Sequence, residues 1–268
     1  GNINLGRAAG GAVVVNSLTQ SGTGLIDFSN GNVNSITVTT NVLLNTIVPA
    51  LNNTLATVRV NLGQIDITAA GAGAVVVTGG VTNSASFSGS TNDPGNNNNA
   101  RIQFSGGANN VTLGSVTNSV SGTFTATANG GAGNGEILFH QNAGTITVLG
   151  ATTNNSTVVV TTSGGAVVQN VANIRTSSPT GGLALQAVVN SSSSTGNVNN
   201  NNGIDFGSVT VAQTATTVTQ SGATSGGDIR FGNANLTTTG SVVNSRAAAG
   251  ADIIHGTAPT AGVAVAIG

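Results

Sequence analysis

Gly227-Asp228-Ile229-Arg230-Phe231-Gly232 carries a pattern that returns along the whole chain. Its kernel is Ile-x-Phe, placed just after a glycine- or asparagine-rich cluster. The same kernel stands at Ile26-Asp27-Phe28, Ile102-Gln103-Phe104, Ile137-Leu138-Phe139 and Ile204-Asp205-Phe206. Looser copies are Ile3-Asn4-Leu5, Ile65-Asp66-Ile67, Leu183-Ala184-Leu185 and Ile253-Ile254-His255. Five of the seven phenylalanines occupy the second apolar slot, which phenylalanines scattered through a core would not do.

Alternation with period two puts Ile and Phe on one face of a strand and the residue between them on the other. A short strand of this kind cannot bury its apolar face alone. Stacked copies bury a continuous ladder, which is the logic of a solenoid. The starts at 3, 26, 65, 102, 137, 183, 204, 229 and 253 are separated by 23, 39, 37, 35, 46, 21, 25 and 24 residues. The short intervals read as one coil of roughly 20–25 residues. The long intervals read as two coils, or as one coil with an excursion. The fold class expected is therefore all-β, a parallel β-helix formed by residues 1–268 as a single domain. An antiparallel sandwich of similar strands is the competing reading, but it would not keep one side-chain frame in register over such a length.

The expected ladder is Ile26, Phe28, Ile102, Phe104, Ile137, Phe139, Ile204, Phe206, Ile229 and Phe231. Asp205 and Arg230 then become neighbours across coils, a surface pair worth about 0–1 kcal/mol. Variable Gly/Asn/Ser segments (Ser90–Asn99, Asn129–Gly135, Ser191–Gly203, Ala223–Gly227) precede the kernels and are expected to project as loops from one corner. They mark either a binding edge or a corner that tolerates insertion. Across 41–60, Leu43, Leu44, Ile47, Val48, Leu51, Leu55 and Val58 recur at spacings of three and four, the stripe of a short helical excursion. Pro49 interrupts it, so two strands joined at Pro49 are the alternative.

Composition narrows the function. Charged residues make up 5% of the chain and the net charge is −1; lysine, cysteine, methionine, tryptophan and tyrosine are absent. Six scattered arginines make no basic stripe, which argues against nucleic acid. Zero cysteine leaves no disulfide or thiolate site. No apolar run approaches the length of a membrane span, and no signal peptide is visible, so the chain reads as a mature protein or an excised piece. Regularly placed β-branched residues argue against disorder.

Little chemistry is visible. The acids are Asp27, Asp66, Asp93, Asp205, Asp228, Asp252 and Glu136. Paired carboxylates for glycoside cleavage lie about 5–10 Å apart, which Asp27/Asp66 and Asp205/Asp228 approach if their coils are adjacent. No lysine or arginine cluster accompanies them, and no catalytic residue, cofactor or metal is assigned. His140 and His255 follow the kernel without companion ligands. Gly226-Gly227-Asp228 matches a fragment of a calcium-binding nonapeptide, without a tandem copy. Thr-x-Thr occurs at Thr37/Thr39, Thr125/Thr127, Thr145/Thr147 and Thr237/Thr239; on regular coils such an array could order water, but threonine is also simply a favoured strand residue. Asn-x-Ser/Thr sequons begin at Asn52, Asn110, Asn154, Asn155, Asn190 and Asn235.

The unit Gly227–Gly232 followed by Ala234-Asn235-Leu236-Thr237-Thr238-Thr239-Gly240 resembles the repeats of bacterial filamentous-haemagglutinin-like and autotransporter passenger adhesins. The resemblance is one of repeat style across the chain. It implies a right-handed parallel β-helix, export across an outer membrane, and adhesion or matrix building at the cell surface. The expected partners are a host or cell-surface glycan or protein, or the chain itself through head-to-tail or lateral association. The rival is a filament subunit joined through its solenoid ends, with Ile3, Leu5, Val263, Val265 and Ile267 as assembly residues. A carbohydrate-active β-helix enzyme is the third reading, and it requires a cleft holding Asp and Arg together.

Overall fold

Apolar residues at every second position can all be buried only if strands from successive passes of the chain lie on one another. The computed structural model of the chain has that arrangement. It describes residues 2–5, 12–22, 24–28, 35–53, 61–68, 74–91, 98–105, 110–126, 130–141, 144–162, 168–179, 182–196, 198–206, 213–215, 217–223, 225–231, 236–238, 240–246, 253–255 and 265–267. The described residues form a parallel β-solenoid of nine coils, each running through up to three strand segments that define faces A, B and C.

Face A consists of Ile3–Asn4, Leu25–Asp27, Asn61–Thr68, Asn98–Ser105, Gly130–Gln141, Val168–Pro179, Val198–Phe206, Ser225–Phe231 and Ile253–His255, hydrogen-bonded in sequence order. Face B consists of Ala12–Val15, Ser35–Val38, the first parts of Val75–Thr91 and Val111–Ala126, then Ile146–Val148, Leu183–Ala184, Gln213–Ala215, Leu236–Thr238 and Val265–Ile267. Face C consists of Leu18–Ser21, Val42–Asn53, the remainders of the two long strands, Thr152–Thr162, Ala187–Thr195, Thr217–Ala223 and Val242–Arg246. Every pairing among them is parallel, for example Ile3 on Ile26, Ile102 on Ile137 and Ile229 on Ile253.

The isoleucine column is unbroken on face A: Ile3, Ile26, Ile65, Ile102, Ile137, Ile174, Ile204, Ile229 and Ile253. This corrects the placement of Leu183-Ala184-Leu185. Those residues lie at the second face of their coil, where Leu183 pairs with Ile146. The kernel of that coil is Ile174-Arg175-Thr176, hidden because threonine replaces the phenylalanine. With Ile174 in place the intervals become 23, 39, 37, 35, 37, 30, 25 and 24 residues, and each is one coil. Coil length therefore exceeds the expected 20–25 residues in the middle of the rod.

The extra length is largely strand. The expected loops at Asn129–Gly135, Ser191–Gly203 and Ala223–Gly227 fall mostly within Gly130–Gln141, Ala187–Thr195, Val198–Phe206 and Ser225–Phe231. The stretch from Thr91 to Asn98 is described only at its two ends, which are strand. Glycine and asparagine lower strand propensity when judged alone, but here most of these residues are in register with one in the coil before or after. The helical stripe is overridden in the same way over residues 41–53, while Leu55 and Val58 lie outside the described residues. Val42–Asn53 is one strand paired with the neighbouring coil, and its register shifts between Val48 and Leu51. Pro49 lies at that irregularity, where its missing N–H breaks no ladder bond.

Ile26, Ile65, Ile102, Ile137, Ile174, Ile204 and Ile229 are buried, together with Phe28, Phe104, Phe139 and Phe206. Phe104 and Phe139 stack with ring centroids 5.3 Å apart and planes 19° from parallel, an offset geometry that aromatic pairs favour. Face B contributes a facing aliphatic pair in most coils, such as Val111 and Leu113 or Ile146 and Val148; the corresponding positions are Gln213 and Ala215, then Leu236 and Thr238, in two later coils. Burying a side chain of this size stabilises by about 1.5–3 kcal/mol. The corner between B and C is closed by backbone contact. Gly79 N–H donates to Thr40 O over 2.7 Å, and a Cβ on Gly79 would stand 2.3 Å from that same oxygen.

Candidate functional site

The two strands that meet at the far side of the interior, C and A, are joined by an amide ladder. On face C the second inward residue is Gln20, Leu44, Asn83, Asn118, Asn154, Asn190, Gln220 and Asn244 in successive coils. Asn83, Asn118, Asn154, Asn190 and Gln220 are fully buried. Each amide donates to the next: Asn83 Nδ2 to Asn118 Oδ1 (3.0 Å), Asn118 to Asn154 (2.9 Å), Asn154 to Asn190 (2.9 Å) and Asn190 Nδ2 to Gln220 Oε1 (3.3 Å). The same nitrogens reach across the interior to face A carbonyls: Gly63 O (3.1 Å), Ala100 O (3.0 Å), Gly135 O (2.9 Å) and Ala172 O (2.7 Å). Small residues stand opposite because the two sheets approach closely there. A Cβ on Gly135 would lie 3.0 Å from Asn154 Oδ1.

This ladder was not among the expected ladder residues. Its signal is nonetheless in the sequence, as a second recurring unit: Val81-Thr82-Asn83-Ser84, Val116-Thr117-Asn118-Ser119, Val188-Val189-Asn190-Ser191, Val218-Thr219-Gln220-Ser221 and Val242-Val243-Asn244-Ser245. Polar residues flank the amide, so hydropathy alone does not mark it as internal. A shorter relay lies beyond it, where Asn170 Nδ2 donates to Ser156 O (3.1 Å) and Asn200 Oδ1 (3.0 Å). Asn154 and Asn190 each begin a sequon yet are sealed inside. Asn155 points outward and Asn110 is exposed, while the side chains of Asn52 and Asn235 lie outside the described residues.

The outer faces differ sharply in charge. Of the nine charged residues described, eight (Asp27, Asp66, Arg101, Glu136, Arg175, Asp205, Asp228 and Arg230) stand on face A, and the ninth, Arg246, ends the last described strand of face C. Signs alternate toward the C-terminal coils of face A. Asp205 lies in register between Arg175 and Arg230, the adjacency expected from the kernels. Arg175 Nε pairs with Glu136 Oε1 at 2.5 Å and Arg230 Nη2 with Asp228 Oδ2 at 3.1 Å. Asp27 and Asp66 are also in register, and Asn4 Nδ2 donates to Asp27 Oδ2 over 3.0 Å. Among the described residues no group of three His, Cys, Asp or Glu side chains could hold a metal ion, and no helix is long and apolar enough to cross a membrane.

Over four adjacent face C strands, from the second part of Val75–Thr91 to Ala187–Thr195, the outward residues form four columns; on the neighbouring strand Val42–Asn53 the positions in register are Leu43, Asn45 and Ile47. The first is Thr82, Thr117, Thr153 and Val189; the second is Ser84, Ser119, Asn155 and Ser191. The third is Ser86, Ser121, Thr157 and Ser193; the fourth is Ser88, Thr123, Val159 and Thr195. Along the columns Thr157 Oγ1 and Ser193 Oγ share a hydrogen bond at 3.0 Å, and Ser191 Oγ donates to Asn155 Oδ1 at 3.2 Å. Of the Thr-x-Thr pairs, Thr37, Thr147 and Thr237 share one outward column of face B with Thr112 and Thr214, and Thr125 lies far along face C.

The remaining expected residues are placed as follows. Phe231 and His255 continue the phenylalanine slot in register, and His140 lies in the strand Gly130–Gln141. Ile3 and Leu5 pack partly buried against the core. Val265 and Ile267 pair with Leu236 and Thr238, and Val263 lies outside the described residues. No protein-family model, curated protein or solved structure matches this chain.

Proposed function

We propose that this chain is a non-enzymatic structural or adhesive rod of a bacterial cell surface or extracellular matrix. The observation that carries this reading is the continuity of the register: one isoleucine column passes through all nine coils. Coils spaced about 4.7–4.9 Å apart and locked by internal ladders make a stiff support. Its mechanism is mechanical: the interior carries load, and the outer faces are free to display contacts to a surface glycan or protein. The scarcity of arginine and lack of lysine leave few sites for trypsin-like proteases, which suits an exposed location.

Adhesion of beads coated with the purified chain tests this reading. Retention on glycan- or protein-bearing bacterial surfaces above albumin-coated beads is the expected result. Beads that are not retained, together with release of reducing ends from a polysaccharide panel by the soluble chain, would replace it with the carbohydrate-active reading. That reading draws on the Asp and Arg residues side by side on face A. Uniform long filaments in electron micrographs of the same preparation would favour the polymerising subunit.

A further inference from the structure

We propose that the outer surface of face C binds ice, the ligand being the ordered water lattice itself. The inference goes beyond the structural reading above and stands on the chemistry of one face. An ordered array needs regular coils, and face C is regular over its central strands. Val116–Ala126 pairs residue for residue with residues 81–91 on one side and with Thr152–Thr162 on the other; face C shortens toward both ends, to Leu18–Ser21 and Val242–Arg246, so the array belongs to the central coils. Hydroxyl-bearing positions therefore repeat in two directions, at the coil spacing of about 4.7–4.9 Å and at about 6.6–6.8 Å along the strand.

Water sets a matching scale. Hydrogen-bonded oxygens lie about 2.7–2.8 Å apart, so tetrahedral angles place second neighbours about 4.5 Å apart and a two-layer repeat near 7.3 Å. Waters bound over one hydroxyl column are thus spaced nearly as second neighbours in such a lattice. The match is closer across the coils than along the strands. Threonine adds a methyl group that excludes disordered water beside the hydroxyl that holds an ordered one. Charges would bind their own hydration shells instead, and the described part of face C carries none before Arg246.

Other occupants fit less well. No described aromatic side chain points outward from face C, so a sugar ring has no stacking platform. A protein partner finds none of the large aromatic or arginine anchors that carry interface energy, on a surface rich in serine, which interfaces deplete.

The test is partition of the purified full chain into slowly grown polycrystalline ice, read against serum albumin, with ice recrystallisation as a second readout. The wild-type chain is expected in the ice at severalfold the albumin level, with grain growth slowed. Thr117→Lys with Thr153→Lys should return partition to the albumin level, while Gln103→Lys on face A should leave it unchanged. Circular dichroism checks that each variant is folded; if the double variant is not, Ser119→Lys takes its place. Exclusion of the wild-type chain from ice overturns the proposal without recourse to any variant. Equal partition of wild-type and face C variants also overturns it. So does a concentration-dependent dimer abolished by the lysines, which would assign the face to a second copy.

Discussion

The two sides of the interior stack in the same register and by different physics. Beneath face A the columns are Ile on Ile and, where the kernel is intact, Phe on Phe, and beneath face B they mix Val, Ile and Leu. Between C and A the column is amide on amide. The apolar side is non-directional and gains free energy from any well-filled arrangement. The amide side gains only about 1 kcal/mol net per hydrogen bond, but loses more when a buried group is left unpaired. A one-residue slip would send every inward side chain of face C to the surface, and a two-residue slip would set amides among the valines. The apolar columns supply most of the stability, and the amides specify which residue lies over which.

The most damaging change falls on the apolar side. Phe206→Asp puts a charge at a buried slot. It is expected to abolish cooperative unfolding of the central coils in a urea titration followed by circular dichroism, since the cost is several kcal/mol. An unchanged transition would break the assignment of that column. Next, Asn154→Leu fills the site but strands Gly135 O and Asn190 Oδ1, its acceptors at 2.9 Å. About 3 kcal/mol of stability should be lost in the same titration, at about 1–3 kcal/mol per stranded group. A loss below that of an ordinary surface substitution would mean the ladder specifies nothing.

Gly122 probes the contact beyond the ladder, where a Cβ would stand 2.1 Å from the Phe87 ring. Gly122→Ala should cost about 1–3 kcal/mol by overpacking, and Phe87→Leu in the same chain should recover part of it in a thermal melt. Additive losses would show that the two residues do not meet.

Two smaller effects sharpen the comparison. Leu44 is the one apolar interruption of the amide column, and Asn83 Oδ1 beside it has no partner among the described residues. Leu44→Asn is expected to be tolerated within about 1.5 kcal/mol, because the new amide can donate to that oxygen and offset part of the lost burial. Thr152 stands in the valine column with its hydroxyl unpaired among the described residues. Thr152→Val should therefore raise the melting temperature, with a gain of about 1 kcal/mol.

Recurrence of Ile-x-Phe was enough to read the solenoid, because a period-two kernel in a constant frame has few other ways to be buried. The same reading failed at Ile174, where threonine fills the second slot, and chose Leu183 instead. It also took Asn199–Asn202 for a projecting loop, although Asn200 and Asn202 are buried within a strand. Composition rules treat such residues as loop formers because they judge each residue without its neighbours in adjacent coils. The amide ladder was written in the recurring Val-x-Asn-Ser unit, but whether its asparagine faces inward is not a property of the unit.

The sequence by itself determined the strand frame, the apolar columns and the scarcity of charge, since each follows from local alternation and composition. Only the tertiary structure decided that all eight intervals are single coils, that the asparagines of the ladder lie inside, and that the described charges gather on face A while hydroxyls pave the central strands of face C. The reason is physical. Those properties belong to pairs of residues about 23–39 positions apart, brought together by the stacking of coils, and no single segment contains both partners.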